Sequence, residues 1–269
     1  MNIDEFIYSI NLWFSWKPFY REILLKFGLE EENDRKAKLE FYNIIKADDT
    51  LKLQISNAIK EAKKIITTQV TIFGSGPSLI DDINLYKKKN YKTTIVAVDG
   101  ATKALIENKL FPKIIVSDFD GDMEAIIKCG QLGAILFMHI HGDNNSLVKN
   151  WFPELQKLLF WVPTVQDEPI NPIRNFGGFT DGDRAVSLLL QLMDSGTIFL
   201  AGFDFGEEVG RYSKPSYDKN IPASVFKKMK LEFAKKYLSF LAKEFPEIKI
   251  FNYSKKHEKI PGIVDGSFE

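Results

Sequence analysis

From Gln69 onward, short β-branched apolar runs alternate with stretches whose apolar positions recur every three or four residues. The runs predict strands over 70–73, 94–98, 114–117, 134–138, 159–162 and 198–201. The stretches between them predict helices over 79–89, 101–108, 123–129, 147–151 and 184–193. Such alternation with short links argues for an α/β fold, a doubly wound, mostly parallel sheet covered on both faces. Residues 1–66 read instead as a helical N-terminal region. It opens with an aromatic segment (Phe6, Trp13, Phe14, Trp16, Phe19, Tyr20), is expected to break at Pro18, and ends in an amphipathic helix over 51–66. The aromatic segment reads as a packing arm over the main domain, with a homodimer contact or a substrate lid as alternatives. The pattern divides the chain into this region, a Rossmann-like catalytic core over 67–206, and a C-terminal extension over 207–269. That extension holds a helix over 222–244, a strand over 248–251 and a polar tail, packing on the core.

Charge narrows the function classes. Lysines and arginines number 36 and acids 36, so no net field favours nucleic acid or an anionic membrane. Cys129 is the single cysteine, which excludes an intramolecular disulfide and fits a reducing cytosol. No apolar stretch reaches the roughly 18–20 residues of a membrane span. The first residues carry Asp4 and Glu5 where a secretory signal carries bases. The expectation is a cytoplasmic protein.

Candidate chemistry collects at the ends of the predicted strands. Asp118, Asp120 and Asp122 alternate directly after the run over 114–117. Crowded carboxylates repel one another unless a cation joins them, and a hard oxygen-seeking ion such as Mg2+ suits them and would hold phosphate oxygens on its far side. Gly74-Ser75-Gly76-Pro77-Ser78 forms a turn between strand and helix where backbone N–H groups can meet a phosphate, although a tight structural turn needs the same residues. Asp99, before Gly100, is either an N-cap or a ligand-binding acid at the same edge. His139, His141 and Asp143 follow the next strand. A zinc site lacks a further well-spaced ligand, so Asp143 reads as completing a Mg2+ site, His141 as a phosphate hydrogen-bond donor or orienter, and His139 as structural. The loop over 175–184 holds Phe176, Phe179, Thr180, Asp181, Asp183 and Arg184 before an apolar helix, more acids than capping requires; Arg184 suits a phosphate. Asp204-Phe205-Gly206 copies a kinase tripeptide without the accompanying kinase motifs. The run over 118–122 is no EF-hand, because its glycine comes too early.

Together, Gly74-Ser75-Gly76-Pro77-Ser78, Val98-Asp99-Gly100-Ala101-Thr102, Ser117-Asp118-Phe119-Asp120-Gly121-Asp122, His139-x-His141-Gly142-Asp143-Asn144 and Gly177-Gly178-Phe179-Thr180-Asp181-Gly182-Asp183-Arg184 resemble the archaeal 6-hydroxymethyl-7,8-dihydropterin pyrophosphokinases of the MptE-like family. A looser likeness runs to thiamine pyrophosphokinases, whose Asp-Phe-Asp acids and later loop aspartate handle Mg2+ and ATP. By position this implies Asp118, Asp120 and Asp143 as metal ligands. The resemblance implies an enzyme that moves pyrophosphate from ATP to the hydroxymethyl group of a reduced pterin, with Mg2+ as cofactor, in methanopterin or folate biosynthesis. ATP is then expected at Gly74, Ser75, Gly76, Pro77, Ser78, Asp99 and Arg184. The pterin ring is expected on Phe176 or Phe179, with Thr180 beside it and Asp181 accepting from its amino-pyrimidine edge. Asp122 or Asp143 is expected to take the hydroxyl proton, with His141 nearby. The alternatives are a thiamine-type pyrophosphokinase and a non-catalytic nucleotide-binding module.

Overall fold

The computed structural model describes the backbone of residues 3–268 and the side chains of residues 13–268, so the Phe6 side chain lies outside the described residues. Three helices come first: α1 (Ile3–Phe27), α2 (Glu31–Ile45) and α3 (Asp49–Ile65). There follow β1 (Gln69–Phe73), α4 (Leu79–Lys88), β2 (Thr94–Val98), α5 (Ala101–Glu107), β3 (Ile114–Ser117), α6 (Met123–Gln131), β4 (Ile135–Ile140), α7 (Asn145–Leu155), β5 (Trp161–Val165), α8 (Asp181–Leu192) and β6 (Gly196–Ala201). The chain ends with β7 (Glu208–Val209), β8 (Ile221–Pro222), α9 (Val225–Glu244), β9 (Ile248–Asn252) and β10 (Val264–Asp265).

Among the described residues, eight strands form one sheet in the order β10-β9-β6-β1-β2-β3-β4-β5. Every pairing in it is parallel, with Ile72 of β1 opposite Val96 on one side and Leu200 on the other. Burial on both faces explains why these strands are apolar throughout rather than alternating; Ile114, Ile115 and Val116 are all fully buried. The chain steps outward from β1 to β5, then α8 carries it back to β6 on the far side of β1. Helices α4, α5 and α6 pack in sequence along one face, while α8 packs on α9 and against β2 and β3. Right-handed crossovers in opposite directions require this two-faced arrangement. The reversal at β1 and β6 opens a crevice at the carboxyl edge, where doubly wound sheets bind ligands. β7 and β8 make a separate antiparallel ribbon above that edge.

Several boundaries depart from the sequence expectation, and two of them bear on the packing. α1 runs through Pro18 without a break. Its buried face, Trp13, Trp16, Tyr20 and Ile23, is anchored on the core and offsets the lost hydrogen bond. Phe19 lies edge-on to Tyr237 and tilted against Phe240 of α9 with ring centroids 5.0 and 4.8 Å apart, and Trp16 Nε1 donates to the Gln166 carbonyl at 2.8 Å. Among the described residues of the aromatic segment, Trp13, Trp16, Phe19 and Tyr20 pack on the rest of the fold, as a packing arm would. The fifth strand covers Trp161–Val165, later than the predicted 159–162. Pro163 is tolerated there because β5 ends the sheet, where a missing N–H costs no interior ladder bond. Among the described residues, no helix is long and apolar enough to cross a membrane.

Candidate active site

The carboxyl ends of β2, β3 and β6 each turn through a non-glycine residue with left-handed backbone. These are Asp99 (φ 45°), Phe119 (φ 72°) and Phe205 (φ 56°). Such conformations are disfavoured for side chains with a Cβ and persist where surrounding structure enforces them, often at functional sites. They flank a cavity of about 390 Å³ whose floor is the β1–β6 crevice.

Three carboxylates meet in this cavity. Asp99, Asp118 and Asp181 present oxygens that all lie within 4.8 Å of one another. Asp99 is buried after β2, and its Oδ1 accepts from Ser117 Oγ at 2.6 Å. Gly121 permits this approach, since a Cβ there would stand 2.5 Å from Asp99 Oδ1. Asn144 ties the next two strand ends together, donating to the Asp118 and His139 carbonyls at 2.8 and 2.7 Å while accepting from His141 N at 3.0 Å. That bridge sets His141 Nε2 3.8 Å from Asp118 Oδ2. Asp181 comes from the first turn of α8 and pairs with buried Arg184. The cap of that helix belongs to others: Asp183 accepts from the Phe179 and Thr180 amides at 2.9 and 2.7 Å, which frees Asp181 for the cavity.

Electrostatics are lopsided within the set. Burial, then Asp181, Asp118 and Asp120, push Asp99 well above the usual carboxylate range. Burial and Asp118 do the same to Asp181. Burial also opposes ionisation of Asp118, but His141, Arg184 and Lys214 outweigh it and hold that carboxyl below the usual range. The negative charge therefore concentrates on Asp118. A hard divalent cation fits this donor set, which offers carboxylate oxygens and a buried Asp118 Oδ1 with no hydrogen-bond partner.

The other sequence candidates divide. Asp120 lines the cavity and pairs with Lys214. Asp143 is exposed and absent from the cavity wall; its amide donates to His141 Nδ1 at 3.3 Å, so it supports the imidazole rather than joining Asp118. The carboxylates that meet are thus Asp118 with Asp99 and Asp181, rather than the expected grouping of Asp118 and Asp120 with Asp143, whose exposed side chain is not part of the cavity wall. Asp122 caps α6 by accepting from Ala125 N at 3.1 Å, pairs with Lys103 at 2.9 Å, and faces a neighbouring cleft of about 260 Å³. Phe179 and Thr180 line the main cavity, whereas Phe176 packs edge-on to Phe137 and Arg184 stands behind Asp181. His139 is buried beside Thr164 Oγ1 at 3.1 Å, and burial lowers its pKa, as a structural histidine requires.

Gly74, Ser75, Gly76 and Pro77 line the cavity, but the turn is closed upon the fold. Gly74 N and Gly76 N donate to the Ala201 and Gly202 carbonyls at 2.8 and 2.9 Å, and Ser78 N donates to Asp204 Oδ2 at 3.2 Å. These amides are engaged by β6 and its extension, so they are not free for phosphate. A Cβ on Gly76 would lie 2.1 Å from Asp204 Oδ2 and 2.4 Å from the Gly202 carbonyl. Gly76→Val should therefore destabilise the protein by on the order of 3 kcal/mol, seen as a fall in melting temperature or loss of soluble protein. A variant that melts like the parent yet loses ATP affinity in calorimetry would show that the glycine serves the ligand instead.

The structure adds residues that the sequence motifs did not reveal. Asp204 lies on the cavity wall, and burial raises its pKa to about 6. Its place past a predicted strand at the same edge was a usable signal. Lys214, Lys227 and Lys230 also line the cavity, from the segment around β7 and β8 and from α9. No motif marked them.

The MptE-like family model, described as 6-hydroxymethylpterin diphosphokinase MptE-like, matches residues 42–210. A 6-hydroxymethyl-7,8-dihydropterin pyrophosphokinase of Methanocaldococcus jannaschii is 35% identical over 232 residues, covering 84% of this chain and 94% of that one. Proteins of the same name from Methanothermobacter thermautotrophicus and Pyrococcus furiosus are each 36% identical, covering 87% and 90% of this chain and 95% and 99% of their own. Among solved structures, the MAf glycosyltransferase from Magnetospirillum magneticum AMB-1 is similar at a TM-score of 0.51 and 18% identity. The match covers 76% of this chain and 34% of that longer one, and it speaks for the fold alone.

Proposed function

Because the chain belongs to the MptE-like family, we propose that this enzyme transfers diphosphate from ATP to the hydroxymethyl group of 6-hydroxymethyl-7,8-dihydropterin, releasing AMP. The observation that carries the chemistry is the meeting of Asp99, Asp118 and Asp181 in one cavity at the topological switch. In the reaction the pterin hydroxyl oxygen attacks the β-phosphorus. A new O–P bond forms, the bond from that phosphorus to the α,β-bridging oxygen breaks, and its electron pair leaves on AMP. The hydroxyl proton passes to a carboxylate at the cavity wall.

Asp99, Asp118 and Asp181 would hold Mg2+, which when bound supplies neutralising charge to the phosphate oxygens. The protein's own part is positioning and electrostatics, as expected where no covalent nucleophile is needed. His141 steadies Asp118, and Arg184 fixes Asp181 from behind, so the carboxylates are held before substrate arrives. Phe179 offers its ring at the wall, suited to a flat pterin, while Asp181 is assigned to the cation rather than to the pterin edge. On this reading the enzyme would act in the cytosol, in tetrahydropterin cofactor synthesis of the methanopterin or folate type.

An assay of AMP release tests the reading. Reduced hydroxymethylpterin should support release and thiamine should not, with activity lost in excess chelator and restored by Mg2+. Release with thiamine alone would make the enzyme a thiamine-type pyrophosphokinase. Release with neither acceptor would leave a nucleotide-binding module.

A further inference from the structure

Helix α9 begins against the rules of helix stability. Its first turn contains no acid and carries Lys227 and Lys228, positive charges at the positive end of the helix dipole. Lys228 is relieved by an ion pair with Glu207. Lys227 and Lys230 have no carboxylate within ion-pair distance among the described residues, although both line the cavity. Their spacing of three residues puts them on one face of the helix, and both line the cavity that holds the carboxylates.

Lys230 is the more constrained. Its Nζ stands 5.0 Å from the centroid of Phe179 and 5.2 Å from that of Phe226, and Phe27 packs against both rings. The rings hold the ammonium by cation–π attraction but do not neutralise it. A half-buried cation with no carboxylate in direct contact is costly, and the cost is recovered when an anion enters. Burial, then Lys227, already lowers the Lys230 pKa. The other cavity cation, Lys214, is paired with Asp120, and Arg184 behind the wall is paired with Asp181.

We propose that Lys230, with Lys227 beside it, contacts the non-bridging oxygens of the diphosphoryl group in transfer. The inference rests on the transfer reaction written above and names the part of the site that receives its anion. As the β-phosphorus gains the acceptor oxygen and loses the α,β-bridging oxygen to AMP, its two non-bridging oxygens and those of the γ-phosphoryl still joined to it would lie between the ammonium groups and the carboxylates that would hold the cation. A polyphosphate chain is then recognised by charge on two sides, and a monophosphate engages Lys230 weakly.

Lys230→Met tests this with inorganic tripolyphosphate plus Mg2+ as the probe in calorimetry. Its affinity should fall at least about tenfold while AMP affinity stays within about threefold. Turnover should fall about 100-fold, as for loss of one preorganised donor. The melting temperature without ligand should not fall, because an unpaired charge has been removed. Lys230→Arg keeps the charge and should retain tripolyphosphate binding, which separates lost charge from misfolding. Tripolyphosphate affinity unchanged in Lys230→Met would overturn the proposal, as would equal weakening in Lys230→Arg. If the parent protein shows Lys230-dependent tripolyphosphate binding but no turnover of the pterin, the anion contact stands and the acceptor assignment fails.

Discussion

Asp118→Asn should lower turnover by at least about two orders of magnitude, roughly 3 kcal/mol of transition-state stabilisation. Asp118 carries the charge of the carboxylate set, since Asp99 and Asp181 are pushed towards protonation while His141, Arg184 and Lys214 keep Asp118 ionised. An amide leaves the size of the side chain intact but removes the strongest oxygen ligand for a hard cation. The fold should survive, because the bridge from Asn144 goes to the Asp118 carbonyl rather than to its side chain. Without metal the variant should melt somewhat lower than the parent, because His141, Arg184 and Lys214 stabilise the ionised Asp118 in the folded protein and the amide gives up that contribution. Asp143→Asn is the matched control. It lies outside the cavity and should keep turnover within about threefold, the range of a surface change. Steady-state AMP release and melting curves decide the matter. Parental activity in Asp118→Asn, or an equal loss in Asp143→Asn, would refute the assignment of the carboxylates.

Trp16→Ala should cost about 3–5 kcal/mol of stability, the range for deleting a large buried aromatic side chain. Trp16 is 2% exposed and packs edge-on to Tyr237 at 4.8 Å. Its indole N–H closes a buried bond to Gln166, so truncation leaves both a cavity and an unpaired carbonyl. Such a loss is a large part of the 5–15 kcal/mol typical of a domain. Activity should fall with it, because the N-terminal helices also support the site. Asp34 of α2 accepts from Gly142 N at 2.9 Å, Tyr20 Oη at 2.8 Å and Gln166 Nε2 at 2.8 Å, which links the loops after β4 and β5 to α1. Phe14→Ala, at a side chain 62% exposed, should change stability by no more than about 0.5 kcal/mol. Urea unfolding reads both variants. An unchanged midpoint for Trp16→Ala would mean that α1 rests on the core without stabilising it.

Much of the site was legible because its first layer is local. Strand ends are marked by the change from apolar to polar residues, so Asp99 and Asp118 could be placed at one edge from their neighbours alone. The Gly74–Ser78 turn was recognisable but open to two readings. Only the packing of Gly76 against Gly202 and Asp204 shows that its tightness serves the contact between β1 and β6. Asp143 shared the local signature of a strand-end acid, yet its side chain is exposed and lies outside the cavity wall. Asp181 read as the acceptor for the pterin edge, with a helix cap as the alternative; Asp183 holds the cap, and Asp181 meets Asp99 and Asp118. Lys227 and Lys230 belong to an ordinary lysine-rich helix in the sequence, and their meaning comes from where that helix docks.

By itself, the order of apolar runs and helical periods determined a doubly wound α/β sheet with its chemistry at the carboxyl edge. Burial on both faces demands apolar strands, and right-handed crossovers leave few ways to connect them. Tertiary structure alone decided which carboxylates face one another and which lysines share their cavity. Asp99, Asp118 and Asp181 lie on segments distant in sequence, and Lys230 on a later helix still. Their distances depend on β6 returning beside β1 and on α8 and α9 packing together across the opposite face. Those are long-range contacts formed by burying apolar surface, and no local pattern of residues encodes them.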